Sequence, residues 1–135
     1  MNYEQYINEA IAKFETILRE QTERAEKMKN AAPALDFANM DKIIIGTCGG
    51  DGIGPIITKQ ATRVLEKVLA DEIAAGSIVI KYIEGLTIEN REKCGKAIPD
   101  DILAQIKLCD VLLKGPTTTP HGGTMESANV TMRRE

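Results

Sequence analysis

The stretch VLLKGPTTTPHGGTMESANVTMR (Val111–Arg133) decides how the rest of the chain is read. A run of apolar β-formers, Val111 to Leu113, ends at Lys114 and breaks at Gly115-Pro116. Three hydroxyls follow (Thr117, Thr118, Thr119), then Pro120 and Gly122-Gly123, before Ser127-Ala128-Asn129 leads on to Arg133. The pattern predicts a buried strand, a polar loop and the start of a helix. In α/β sheets ligands bind outside the carboxyl ends of strands, so chemistry is expected here.

The residue types suit an anion. A helix starting near Ser127 presents free backbone N–H groups and a positive dipole end. Asn129 and Arg133 are four apart and share a helical face. A guanidinium grips a carboxylate bidentately, while an amide and a hydroxyl orient its other oxygens. The plainer alternative makes Ser127 an ordinary helix cap and Arg133 a solvated charge. The pattern alone leaves both open.

Working outward, strands alternate with helices. Lys42 to Thr47 (KIIIGT) reads as a first buried strand. Gly50, Gly52 and Gly54 follow in a GxGxG pattern, which is neither the Rossmann GxGxxG nor a P-loop ending in Gly-Lys-Ser/Thr. Such a loop suits a tight strand-to-helix turn as well as a cofactor cradle, with Asp51 holding the turn through local hydrogen bonds. Pro55 suits the first turn of a helix running to about Ala75. Ile57, Ala61, Val64, Leu65, Val68 and Leu69 form its expected core stripe, and Gly76 its C′ residue. Ser77 to Ile83 alternates as a second strand, with Ile78, Ile80 and Tyr82 on one face. Leu86 to Lys96 is irregular or a short helix ending near Gly95. Pro99-Asp100-Asp101 opens a further helix that ends near Cys109-Asp110, with its acids at the positive end. Val111 to Lys114 is the third strand. Together these predict an α/β fold, with parallel pairing in the sheet and flanking helices.

The amino-terminal segment predicts a long helix from about Tyr3 to Asn30. Tyr3, Ile7, Ala10, Phe14 and Ile17 recur at spacings of four and three, with Ile11, Leu18 and Ala25 widening the stripe. Glu15–Arg19, Glu20–Arg24 and Glu23–Lys27 are possible i,i+4 pairs on the wet face. Such a stripe packs on its own domain or on a partner, and its periodicity does not separate the two. Ala31-Ala32-Pro33 breaks the helix, so residues 1–40 read as a helical extension with linker and 41–135 as an α/β domain.

The 135 residues, 43% hydrophobic and 27% charged, suit a soluble domain. A formal charge of −3 gives no basic footprint for nucleic acid. No apolar run approaches the ~20 residues of a membrane span. The first residues carry acids where a secretory leader would carry a basic n-region. Cys48, Cys94 and Cys109 are widely spaced, with His121 as the single histidine. That makes no zinc pattern, and the expectation is reduced thiols in or near the core of a cytoplasmic protein.

Lys114-Gly115-Pro116, Thr118-Thr119-Pro120 and Ser127-x-Asn129-x-x-x-Arg133 together resemble one continuous block of the isocitrate/isopropylmalate dehydrogenase family. Gly50-Asp51-Gly52-Ile53-Gly54-Pro55 resembles that family's amino-terminal glycine signature, with Ile56 where the family usually has Glu. The Ser-x-Asn-x-x-x-Arg spacing is closer to the isocitrate branch. The resemblance implies an incomplete part of that family's fold, which is not a Rossmann fold. It further implies oxidation of a 2-hydroxy acid by NAD or NADP, then β-decarboxylation assisted by Mg²⁺ or Mn²⁺. By resemblance Ser127, Asn129 and Arg133 hold substrate carboxylates and Lys114 lies beside the substrate. Thr118 and Thr119, with Asn129, face the nicotinamide. Thr117 receives no role. The family's tyrosine–lysine acid/base pair and metal-holding aspartates are expected outside this sequence. The chain alone is therefore expected to be inactive, with a small tricarboxylate or 2-hydroxy acid as ligand. Association with a second copy or with a complementary carboxy-terminal segment is expected too. The alternative is a non-catalytic piece that keeps the carboxylate-binding loop.

Overall fold

The architecture is a small parallel sheet with its strand ends level, seen in a computed structural model describing residues 3–123 and 125–135. The chain divides into a first unit reaching to Leu35 and a second spanning Asp36–Glu135. In the first unit, helix α1 spans Tyr3–Lys29 and none of its residues is buried. Of the wet-face pairs, Arg19–Glu15 forms at 2.6 Å, and Lys29 pairs with Glu26 at 3.3 Å. Glu20–Arg24 and Glu23–Lys27 do not form among the described residues.

In the second unit, β1 (Ile43–Cys48) is followed by α2 (Gly54–Val68) and α3 (Ala70–Ala75). Then come β2 (Ile78–Ile83), α4 (Ile88–Cys94), α5 (Asp100–Lys107), β3 (Val111–Lys114) and α6 (Ala128–Arg134). The three strands form one parallel sheet in the order β2-β1-β3. Cys48 pairs with Ile83 on one side and with Lys114 on the other, so the carboxyl ends of all three strands are level. The chain leaves β1 toward one neighbour and crosses back over it to reach the other. The loops after β1 and β3 thus meet at the sheet's switch point. Asp110 sets the register of β3: its Oδ2 accepts the Ile44 N–H at 2.7 Å, and its own N–H goes to the Ile44 carbonyl at 2.9 Å.

The predicted single helix over 55–75 is two helices meeting at Leu69, whose φ of −103° and ψ of 23° leave the helical basin. Asp71 and Glu72 lie in the first turn of α3, where acids suit the positive end. Gly76 closes it in the left-handed conformation at φ 78°, as the sequence predicts. The core stripe of α2 differs from expectation. Gly54, Thr58 and Thr62 are buried, whereas Ile57, Val64 and Val68 are exposed. Small and hydroxyl residues at i, i+4 spacing let the helix approach the strand ends closely, and the Thr62 hydroxyl is satisfied by the Thr58 carbonyl at 2.8 Å. The alternation expected along β2 also fails: Tyr82 is exposed and bonded to Glu66, while Ile83 is buried.

The core lies where the strand ends meet the later helices. Cys48, Ile83, Leu86, Ile98, Ile102 and Ala128 are buried together, with Leu112 and Met132 packed against them. Cys48 belongs to this core, but Cys94 is exposed and Cys109 partly so, which corrects the expectation of three core thiols. All three thiols are free. Neither Asp100 nor Asp101 caps α5 through its side chain. Asp100 instead pairs with Lys96 on the surface. No helix among the described residues is long and apolar enough to cross a membrane.

Candidate functional site

The glycine loop after β1 seats the loop after β3. A Cβ on Gly50, at φ +73°, would stand 2.0 Å from the Pro116 carbonyl oxygen, which accepts the Asp51 N–H at 2.8 Å. A Cβ on Gly115 would stand 2.0 Å from the Gly49 carbonyl oxygen. Both positions need glycine because two backbones run against each other, with no room for side chains. The signature Gly50-to-Pro55 and the block beginning at Lys114 are therefore two halves of one contact.

Asp51 holds that contact at long range, where the sequence predicted a local turn. Its Oδ1 accepts the Ile88 N–H at 2.6 Å and its Oδ2 the Thr118 N–H at 2.7 Å. Beside it stands Arg91, which sequence reasoning missed altogether. Arg91 is fully buried on α4. Its Nε donates to the Ala97 carbonyl at 2.7 Å, Nη1 to the Thr118 carbonyl at 2.6 Å and Nη2 to the Glu126 carbonyl at 3.4 Å. Asp51 Oδ2 lies 3.9 Å from Nη1. Thr118 is thus held at both its backbone groups, and the same guanidinium reaches the peptide immediately before Ser127. No motif signals this role, since a lone arginine in a charged helix reads as surface. An ion pair this deep needs each remaining donor satisfied, and the backbone carbonyls supply that.

The predicted residues divide accordingly. Thr118 and Thr119 have exposed side chains on a loop whose backbone is fixed. Lys114, half-buried at the end of β3, donates to the Gly115 carbonyl at 2.7 Å and reaches the Thr117 hydroxyl at 3.3 Å. Burial pulls its pKa below the ordinary lysine value, with nearby Arg91 pushing the same way. Cys48, its neighbour across the ladder, is raised to about 11 by burial, so that thiol stays protonated at neutral pH. Thr117 positions Lys114, a role the sequence did not suggest.

Ser127 stands at the N-cap of α6, yet its hydroxyl makes no capping hydrogen bond. The plain-cap alternative therefore does not hold for its side chain. Helix α6 is seven residues long, too short for the dipole argument to carry weight. The side chains of Asn129 and Arg133 are exposed and make no hydrogen bond or ion pair among the described residues. The adjacent Arg134 behaves otherwise, gripping Glu126 with two nitrogens at 2.9 and 2.8 Å. Glu126 also accepts the Thr131 hydroxyl at 2.7 Å. Those bonds, Thr131 first, hold its carboxyl below the usual range. His121 is exposed in the loop.

A cavity of about 470 Å³ opens instead between α2 and the end of β2, bordered by Thr47, Thr58, Thr62, Arg63, Tyr82 and Glu84. The predicted substrate residues lie outside it. Among the described residues no group of three or more His, Cys, Asp or Glu could hold a metal ion.

Comparison with known proteins points one way. A family model described as isocitrate/isopropylmalate dehydrogenase matches residues 44–135. The NADP isocitrate dehydrogenase of Caldococcus noboribetus is 43% identical over 94 residues, covering 69% of this chain and 22% of that protein. That of Staphylococcus epidermidis is 36% identical over 112 residues, covering 82% of this chain and 26% of that protein. A β-decarboxylating dehydrogenase from Thermococcus kodakarensis, crystallised in its apo form, superposes with a TM-score of 0.57 at 32% identity. The match covers 68% of this chain and 26% of that one. The chain spans about a quarter of the length of the curated relatives it matches.

Proposed function

The chain belongs to the isocitrate/isopropylmalate dehydrogenase family, a family of oxidoreductases, and from that premise we propose that residues 111–135 form one wall of an isocitrate site. In this reading Ser127, Asn129 and Arg133 hold substrate carboxylates, Lys114 lies beside the substrate, and Thr118, Thr119 and Asn129 face the nicotinamide of NADP. The carrying observation is the contrast on α6: Arg134 is consumed by Glu126, while Ser127, Asn129 and Arg133 keep their polar side chains uncommitted among the described residues.

Thr118, Thr119 and Asn129 would hold the nicotinamide end of the nucleotide, which would supply the hydride acceptor for oxidation of the substrate hydroxyl. The chain's own part is to bind and orient. Arg133 supplies a two-pronged charge-assisted grip, Asn129 and Ser127 fix the remaining oxygens, and the pinned backbone of Thr118 holds the cofactor face in register with them. A divalent metal is implied by the family, but the described residues do not compose a site for one, so no step is assigned to it here. A second reading, in which the chain binds a tricarboxylate without turning it over, rests on the same uncommitted side chains of α6.

The test is an exchange. Residues 44–135 are substituted for the matching segment of the Staphylococcus epidermidis enzyme, and isocitrate-dependent NADP reduction is measured beside the 135-residue chain alone. An active chimera with an inactive chain supports the enzyme-site reading. A folded chimera that binds isocitrate but does not turn it over supports the second. A folded chimera that neither binds nor reacts overturns both.

A further inference from the structure

Glu126 stands where the buried clamp gives way to α6. Its carbonyl accepts Arg91 Nη2 at 3.4 Å, and its carboxylate reaches into the helix. There it takes the Thr131 hydroxyl at 2.7 Å and two nitrogens of Arg134 at 2.9 and 2.8 Å. A forked pair of this kind fixes direction as well as distance. Thr131 departs from the other threonines to make its part of the contact. Thr16, Thr22 and Thr62 each return the hydroxyl to the carbonyl four residues back in their helices. Thr131 donates to Glu126 instead.

The contact supplies what the packing of α6 lacks. Ala128 is buried in the core and Met132 packs against it. The two lie four apart, along a single line of the helix. A helix of seven residues seated on one line can rock about it. Thr131 and Arg134, three apart, add a second line, and Glu126 holds both. Successive residues turn by roughly 100°, which sets that second line roughly 150° from the exposed Asn129 and Arg133. Any rocking of the helix off Glu126 therefore swings Asn129 and Arg133 with it. Glu135, just past the helix, pairs with Lys107 at 3.4 Å and steadies only its carboxyl end.

Magnitude decides what such a brace can do. The side chains of Arg134 and Glu126 stay 40% and 39% exposed. An ion pair this open adds little to folding stability. Biasing a rotation needs far less, because apparent affinity scales directly with the population of the competent state. The effect is therefore expected in binding, with melting left where it is.

We propose that Glu126 is a positioning residue for substrate binding, gripping Thr131 and Arg134 so that α6 is held at the rotation that aims Asn129 and Arg133. This rests on the isocitrate-site reading of α6 and adds to it the residue that aims the helix. The test is steady-state kinetics and thermal melts of the chimera carrying residues 44–135. Glu126→Ala and Arg134→Ala should each raise KM for isocitrate roughly fivefold, with kcat within about twofold of wild type and melting unchanged. Charge alone would move the two variants apart. Glu126→Ala frees a cation beside an anionic substrate and would lower KM, while Arg134→Ala frees an anion and would raise it. Glu126→Arg with Arg134→Glu rebuilds the pair and should bring KM back toward wild type. Opposite shifts in the two single variants overturn the proposal, as does a fall in melting that accounts for the loss. An exchange no better than either single change overturns it too. A wild-type chimera that does not bind isocitrate overturns the site reading and the proposal together. An active wild type whose variants keep its KM overturns the proposal alone.

Discussion

Thr118 and Arg133 belong to the same segment and are held in opposite ways. Asp51 takes the N–H of Thr118 and Arg91 its carbonyl, both from a buried ion pair. Arg133 stands exposed on α6 and is engaged by nothing among the described residues, while its neighbour Arg134 is tied to Glu126. The difference separates two kinds of group within one segment. Buried polar groups fix the backbone, and this leaves a separate set of side chains uncommitted toward solvent. The two halves should therefore fail differently, one in stability and the other in recognition.

The largest effect is expected at the fixed half. Arg91→Ala leaves the Ala97, Thr118 and Glu126 carbonyls without this donor and takes from buried Asp51 its ion-pair partner, though Asp51 keeps the Ile88 and Thr118 N–H groups. Breaking a buried pair from one side costs about 3–5 kcal/mol, a large part of the 5–15 kcal/mol typical of a domain. Urea melts followed by circular dichroism should show most of the stability gone. Arg91→Lys, with one nitrogen to span three carbonyls, should recover only part of it. A variant melting within about 0.5 kcal/mol of wild type would mean the clamp is ornamental.

The uncommitted half should show the reverse. In the chimeric enzyme Arg133→Ala should leave melting unchanged, because no partner is lost. A hydrogen bond to a charged group is worth about 1.5–3 kcal/mol, so kcat/KM for isocitrate should fall roughly tenfold or more. Ser127→Asp should do comparable harm by setting a carboxylate against the substrate's own charge. Steady-state kinetics beside thermal melts separate the two outcomes. Loss of stability in Arg133→Ala would erase the distinction between the halves.

The smallest effect sharpens the boundary between them. Thr117→Ala removes the 3.3 Å contact to Lys114 but leaves the 2.7 Å bond to the Gly115 carbonyl. The contact is long at 3.3 Å and Lys114 keeps its shorter bond, so stability and kcat/KM should both change less than in Arg133→Ala. A drop as large as that of Arg133→Ala would move Thr117 into the recognition half, beside Lys114.

Much of this was legible along the chain. The apolar runs at 43–48, 78–83 and 111–114, punctuated by glycine and proline, specify strands by local periodicity and turn chemistry. The strand Val111–Lys114 and the glycine ends at Gly76 and Gly95 fall where the pattern places them. The spacing Asn129-x-x-x-Arg133 marks a shared helical face because 3.6 residues per turn is an intrinsic property of the backbone.

What the sequence could not decide depends on which groups meet across space. Arg91 looks like any surface arginine until α4 is laid against the loop after β3. Asp51 looks like a turn former until its carboxylate is found 37 and 67 residues away in sequence, on Ile88 and Thr118. The stripe of α2 was misread for the same reason, because periodicity reports that a helix has two faces but not which one a sheet will cover. Gly54 and Thr58 face inward because the Gly49 carbonyl and Gly115 come close against them, and that is a property of the assembled sheet alone.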